Sequence, residues 1–370
     1  MLVTGGTNAF DSYAAAALEA EALGGTDLSR VSFTNALSRK AMAKVAKPLA
    51  QLEAATSRTC EFQFTPRRPF EKAPYQSGWR LLGHCLVWKI QDAVALEQWD
   101  TAATATTRAI KFGFDLTGGS ATDASLGFTI VNEARQAVAP ALPRMDGSAL
   151  SRLSVGVAKW VRERPDLGPM IRNEHALMLQ GVQFVQDAYR AKDLEVLNKS
   201  MGSDTKNAID YLKQMEKKDT ERRPGYFQGF AAEAEARAAW LESMAKLPMA
   251  KRSKGPTLQA ERPWRRFAKQ LFEGADPILR VADAAVARTR LLVIEAQVIR
   301  QVKTKGTAQT DLSDFSGELA TDPFTGGRFE YRADGAMYSV YSVGTNKVDD
   351  GGETDESFTS PDLLLERGLR

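Results

Sequence analysis

The feature that most constrains this chain is a change of period near residue 306. Up to about residue 305, apolar residues recur at helical spacing, as in Ala41, Val45, Leu49 and Leu52. Beyond Gly306 the pattern gives way to short alternating runs punctuated by Pro and Gly. The spacing predicts helices over 11–23, 36–56, 121–142, 148–163, 168–192, 205–221, 227–247, 264–274 and 278–305, with two more in 78–113 broken near Trp99-Asp100. Residues 60–75, with Pro66, Pro69 and Pro74, read as a connector, and 246–256 as a basic linker. Arg328–Arg332 and Ala336–Val343 read as strands, and Asp334-Gly335 between them is a hairpin signal. The expected fold class is mainly α: a multi-helix body followed by a small α+β unit with one long helix and a short antiparallel sheet. The corresponding division is a flexible leader at 1–10, a helical body at 11–277 and the C-terminal unit at 278–366.

Charge divides the chain in the same place. Between Asp311 and Glu366 there are 13 acidic and 3 basic residues, so this stretch is close to −10, while residues 1–310 carry about +11. The two signs read either as solvated faces or as surfaces for two kinds of partner. The 43% hydrophobic content excludes wholesale disorder. No apolar run is long enough to span a bilayer, and residues 1–10 lack a signal-peptide pattern. The expectation is a soluble chain, or one whose targeting segment is missing. Cys60 and Cys85 are too few for a disulfide framework; one bridge or buried free thiols both fit.

Most chemistry-bearing residues in the body have structural readings. Leu2–Thr7 lacks the spacing and the strand of a dinucleotide-binding turn. His84 and His175 have no neighbouring nucleophile or ligand set and read as packed or surface histidines. Glu295 lies in an apolar stretch after Arg288 and Arg290, either as an inward acid/base candidate or as an ion pair at the stripe's edge. The basic clusters at Arg67-Arg68, 251–254 and 262–269 read as solvated faces, and no nucleic-acid partner is expected.

The C-terminal stretch is more specific. A DPxG turn (Asp322, Pro323, Gly326), an aromatic strand ending Tyr331-Arg332, a strand end Tyr341-Ser342-Val343-Gly344 and a loop Asp349-Asp350-Gly351-Gly352 follow in one order over about forty residues. This region resembles the globular head of the type II secretion major pseudopilin, and the helix over 278–305 then corresponds to the upper half of that family's spine helix. Asn8–Tyr13 resembles the start of the soluble part in helical bacterial proteins with such ends.

The resemblance implies calcium bound by the loop after the YSxG strand, at Asn346, Asp349, Asp350, Asp355 and Asp362. Clustered oxygen donors on a Gly-rich loop suit that ion. Asn346 stands where the family carries an acidic residue, the DPFTGG turn has one extra residue, and the loop is no EF-hand. The resemblance further implies a non-enzymatic, extracytoplasmic or membrane-anchored envelope protein of structural or adaptor type. Its partner would be an unidentified protein, and membrane contact would come only through an N-terminal anchor absent from this sequence. The alternative is an enzyme or small-ligand binder with a cleft around Glu174, His175 and Glu295.

Overall fold

A computed structural model describes residues 8–24, 35–64, 73–191, 226–255, 276–315, 317–352 and 362–365, with five single positions between 193 and 217. The predicted helix at 264–274, nearly all of that at 205–221, residues 1–7 of the leader and the basic clusters at 67–68 and 262–269 lie outside these. Leader residues Asn8, Ala9 and Phe10 form the cap and buried first turn of a helix rather than a flexible segment. The described chain is mainly helical, with a two-stranded antiparallel sheet near the C-terminus. Its ten helices are α1 (Ala9–Ala22), α2 (Asn35–Lys44), α3 (Ala46–Ala55), α4 (Gln76–Ala95), α5 (Trp99–Leu116), α6 (Ala121–Val138), α7 (Gly147–Glu163), α8 (Gly168–Arg190), α9 (Tyr226–Ala245) and α10 (Asp276–Lys305). The strands are β1 (Glu330–Asp334) and β2 (Met337–Tyr341).

Local chemistry explains most boundaries. The Asn8 side chain accepts from Phe10 N and so caps α1. Asp146 caps α7 by accepting from Ala149 N, and Ser120 and Asp123 form a reciprocal capping box on α6. The single helix expected at 36–56 is two. Pro48 lacks an N–H and its ring crowds the carbonyl four residues back, at Lys44, where α2 ends. Pro48 then sits in the first turn of α3, where a missing N–H costs nothing.

The break after α4 falls at Leu96–Gln98, slightly earlier than Trp99-Asp100. Gln98 N donates to Ala93 O and Glu97 N to Val94 O, the pairing of a Schellman end, with Glu97 at φ 54° in the place usually held by glycine. The hairpin is also shifted by one residue. Asp334 pairs with Met337, so the two-residue turn is Gly335-Ala336, with Gly335 at φ 60°. A glycine in that first position fits a type II′ turn.

Packing centres on α5, α6, α7 and α10. Helices α5 and α6 cross at two glycines: a Cβ on Gly127 would lie 2.2 Å from Gly113 O, and one on Gly113 2.6 Å from Gly127 O. The absence of both side chains lets the backbones approach. Gly127→Ala is therefore expected to force the helices apart and cost about 1–3 kcal/mol. Urea unfolding checks this, since an unchanged midpoint would mean that the crossing relaxes freely.

α10 is 30 residues long, and Leu291, Leu292, Val293 and Ile294 are each fully buried. Four consecutive buried positions exceed one helical face, so its middle is enclosed all round. It packs on α7 and α6 and also touches β2. The stripe expected through Val281, Ala285, Arg288, Leu292, Glu295 and Ile299 is thus too narrow in the middle, and at its start Val281 is exposed. One hydrophobic cluster runs from Ala9 to Leu365 and joins the body to the C-terminal sheet. The chain end is fastened to α6, where buried Arg135 donates to Leu365 O.

Candidate functional site

The four C-terminal motif segments meet in space, and one carboxylate joins two of them. Gly326 N donates to Asp322 O (2.7 Å) and Asp322 N to Gly327 O (2.8 Å), which closes the DPFTGG turn. The Asp322 side chain is 1% exposed. Its Oδ1 accepts from Phe324 N (2.8 Å), and its Oδ2 accepts from the Ser342 hydroxyl (2.8 Å) and Val343 N (3.3 Å). Burial raises its pKa, while these bonds favour the charged form. The turn's aspartate is therefore what holds the YSxG strand end.

The strand end in turn holds the acidic loop. Ser342 and Leu363 exchange backbone hydrogen bonds (3.1 and 2.7 Å), which brings Asp362 beneath the loop. Asp362 Oδ2 accepts from Asp350 N (3.1 Å) and Gly352 N (2.7 Å). Gly351 and Gly352 both have φ near +75°, a conformation glycine adopts without a Cβ penalty. Asp349 Oδ1 accepts from the Tyr341 hydroxyl (2.7 Å) and Gly351 N (2.9 Å), and its Oδ2 lies 3.2 Å from Arg332 Nη2. Asn346 donates from Nδ2 to Asp350 (2.8 Å) and accepts from Val348 N (3.0 Å).

Of the five proposed loop ligands, Asn346, Asp349, Asp350 and Asp362 are thus gathered, and Asp355 lies outside the described residues. The Tyr341 hydrogen bond holds Asp349 below the usual carboxylate range. Asp362 is raised, first by burial and then by Asp350 and Asp349. It is 2% exposed, and its Oδ1 is buried without a hydrogen-bond partner. A buried carboxylate oxygen left in this state is costly unless a donor or a cation reaches it. Among the described residues, no three His, Cys, Asp or Glu side chains form a metal-holding group. A cation here would draw as well on carbonyl and amide oxygens, which calcium accepts.

The residues of the body are spread apart. Glu174 Oε2 accepts from Ala121 N at the start of α6, a capping role. Glu174 and His175 line a space of only about 20 Å³ between α8 and α9. Glu295 does not line it; this residue is 4% exposed, and its charge helps to raise the pKa of Tyr338 on β2. Arg290 donates to Thr321 O and pairs with Glu318. His84 Nδ1 lies 3.5 Å from Glu133, and its ring stacks on Trp88.

Cys60 and Cys85 are free thiols, both pushed up chiefly by burial, Cys85 to about 12. Raised thiols are poor nucleophiles at neutral pH. Sequence reasoning missed a buried cluster in which Lys111 pairs with Asp115 and Tyr13 donates to the same carboxylate oxygen (2.8 Å). Its only trace is the i,i+4 spacing of Lys111 and Asp115, which many exposed helices share.

No helix of the described residues is long and apolar enough to cross a membrane. Comparisons with protein-family models, curated proteins and solved structures find no match to this chain.

Proposed function

We propose that this chain is a structural or adaptor protein of the cell envelope rather than an enzyme, with a pseudopilin-like C-terminal head that binds calcium and docks an as yet unidentified protein. The observation that supports the reading is the buried, unpartnered Asp362 Oδ1 beside Asp349 and Asp350. Asn346, Asp349, Asp350 and Asp362 would hold the ion, with Asp355 as a further donor. Bound calcium would supply positive charge to a carboxylate that now has none at Oδ1, and so tie 346–352 to 362–365.

The remaining interactions fit that role. Asp362 receives two N–H groups through Oδ2, so the protein's own hydrogen bonds arrange the loop around it. Asp349 is oriented by Tyr341 and Gly351. Such prior ordering lowers the conformational cost of binding.

Melting the chelator-treated full-length chain with added calcium tests the reading. Calcium at about a hundred times its Kd is expected to stabilise the fold by about 2.7 kcal/mol, with magnesium giving a much smaller shift because it demands tighter octahedral geometry. Asp362→Asn retains an oxygen for the two N–H groups and removes the charge, so it should abolish the shift. An equal response to magnesium, or an undiminished response in Asp362→Asn, would remove the calcium reading.

A further inference from the structure

A cavity of about 660 Å³ opens where the α7–α8 turn, the end of α9, α10 and the DPFTGG turn meet. That volume is in the range of small-molecule sites. Five cationic and four acidic side chains line it, so the balance is positive. One of those acids, Glu242, is paired 2.5 Å from Arg172, which does not line the cavity. Arg252 is matched by Asp283 through two contacts of 2.6 and 2.8 Å, and that pair is self-sufficient.

The other arginines are not matched one to one. Arg164 Nη1 lies 2.5 Å from Glu318 Oε1, and Arg290 Nη2 contacts the same oxygen, so two guanidinium groups share one carboxylate. Arg290 has a side chain 4% exposed, and its Nε–H is buried without a partner. Its proximity to Arg164 helps to lower its pKa to about 10, after burial, which lowers it most. Glu318 differs from both. It stands on a four-residue 3-10 segment after Gly317, which has φ 61°, and its side chain is 37% exposed. Of the three groups it can return to water at least cost.

We propose that this cavity binds a small organic carboxylate, whose carboxyl group replaces Glu318 on Arg164 and Arg290 while its apolar part lies against Leu167, Leu247 and Pro248. Glu318 already shows that one carboxylate oxygen can reach both guanidinium groups at once. These three apolar residues line the same cavity and are half-buried, so a hydrocarbon body of the ligand would remove apolar surface from water there. The site is independent of the acidic loop and of calcium.

Calorimetric titration of the full-length chain with 3-phenylpropionate, its uncharged amide 3-phenylpropanamide and inorganic phosphate tests the assignment. The carboxylate is expected to bind and the amide not. Glu318→Gln removes the internal competitor and should tighten binding of the carboxylate by about tenfold or more. Adding Arg164→Gln to that variant should abolish the gain; Arg164 is partly exposed and its only acidic contact is then already gone, so this second change strands no buried charge beyond Arg290. The proposal fails if Glu318→Gln binds no carboxylate at about 10 mM, if amide and carboxylate bind alike, or if phosphate binds in preference. A lowered melting temperature in Glu318→Gln without carboxylate binding would make Glu318 a structural clamp only.

Discussion

Lys111→Ala is expected to destabilise the protein by about 3–5 kcal/mol, far more than loss of an exposed ion pair. The side chains of Lys111 and Asp115 are each 5% exposed, and they pair across one turn of α5. Tyr13 on α1 donates to the same Asp115 oxygen, and the Lys111 ammonium lies 4.9 Å from the centre of the Trp160 ring on α7. One charge pair thus connects three helices. Burial pushes Asp115 up to about 6 even with Lys111 holding it down. Without the ammonium the carboxylate is stranded, and its pKa must rise further. A carboxyl raised in the folded state takes up a proton there before the unfolded chain does, at about 3.9. Stability of the variant therefore falls as pH rises from about 4 through its new folded pKa, and the deficit is larger at pH 8 than at pH 5.

Replacing both partners by apolar residues, Lys111→Met with Asp115→Leu, in a Tyr13→Phe background that removes the hydroxyl otherwise left without its acceptor, abolishes the stranded charge and should cost less than Lys111→Ala alone. Denaturant unfolding of the native chain and these two variants checks the account. Equal losses in the single and combined variants would show that packing, rather than charge, governs this position.

Asp322→Ala is the second large effect, at about 3 kcal/mol or more, because it leaves three donors without their acceptor. Phe324 N, the Ser342 hydroxyl and Val343 N all converge on this carboxylate. The loss is expected to spread along the chain of contacts. Ser342 pairs with Leu363, and Leu363 adjoins the Asp362 that orders the acidic loop. Amide exchange should accelerate at Val343, Gly352 and Leu363 while the centre of α5 stays protected. Asp322→Asn retains one acceptor oxygen and should lose about half as much. A loss below about 1 kcal/mol in Asp322→Ala, or exchange confined to the DPFTGG turn, would mean that the turn and the strand end hold independently.

These two clusters show what one sequence discloses and what it hides. Helices with an amphipathic stripe and a cap, such as α7 behind Asp146, were legible because every signal is local. So was the hairpin, though Gly335-Ala336 rather than Asp334-Gly335 forms the turn. The split between α2 and α3 was less visible, since Pro48 acts through a carbonyl four residues earlier and leaves the apolar period intact. Glu97 in a left-handed position was hidden because that conformation ordinarily announces itself as glycine.

At the candidate site, the loop residues Asn346, Asp349 and Asp350 could be grouped from proximity in sequence. Asp322 as the anchor of Ser342 could not, because twenty residues separate them. Arg164, Arg290 and Glu318 come from three distant segments, and nothing in their neighbours marks them as partners. Glu295 is similar: an acidic residue in an apolar run is ambiguous until the chain folds, and it lies 4% exposed in the enclosed middle of α10.

The proposal that the C-terminal loop binds calcium is tested most directly by titrating calcium into the chelator-treated full-length chain in a calorimeter, alongside Asp362→Asn. The account predicts one site with a Kd below about 1 mM, lost in the variant although the variant folds. No heat from the native chain at several millimolar calcium, about the upper end for extracellular calcium modules, would contradict it.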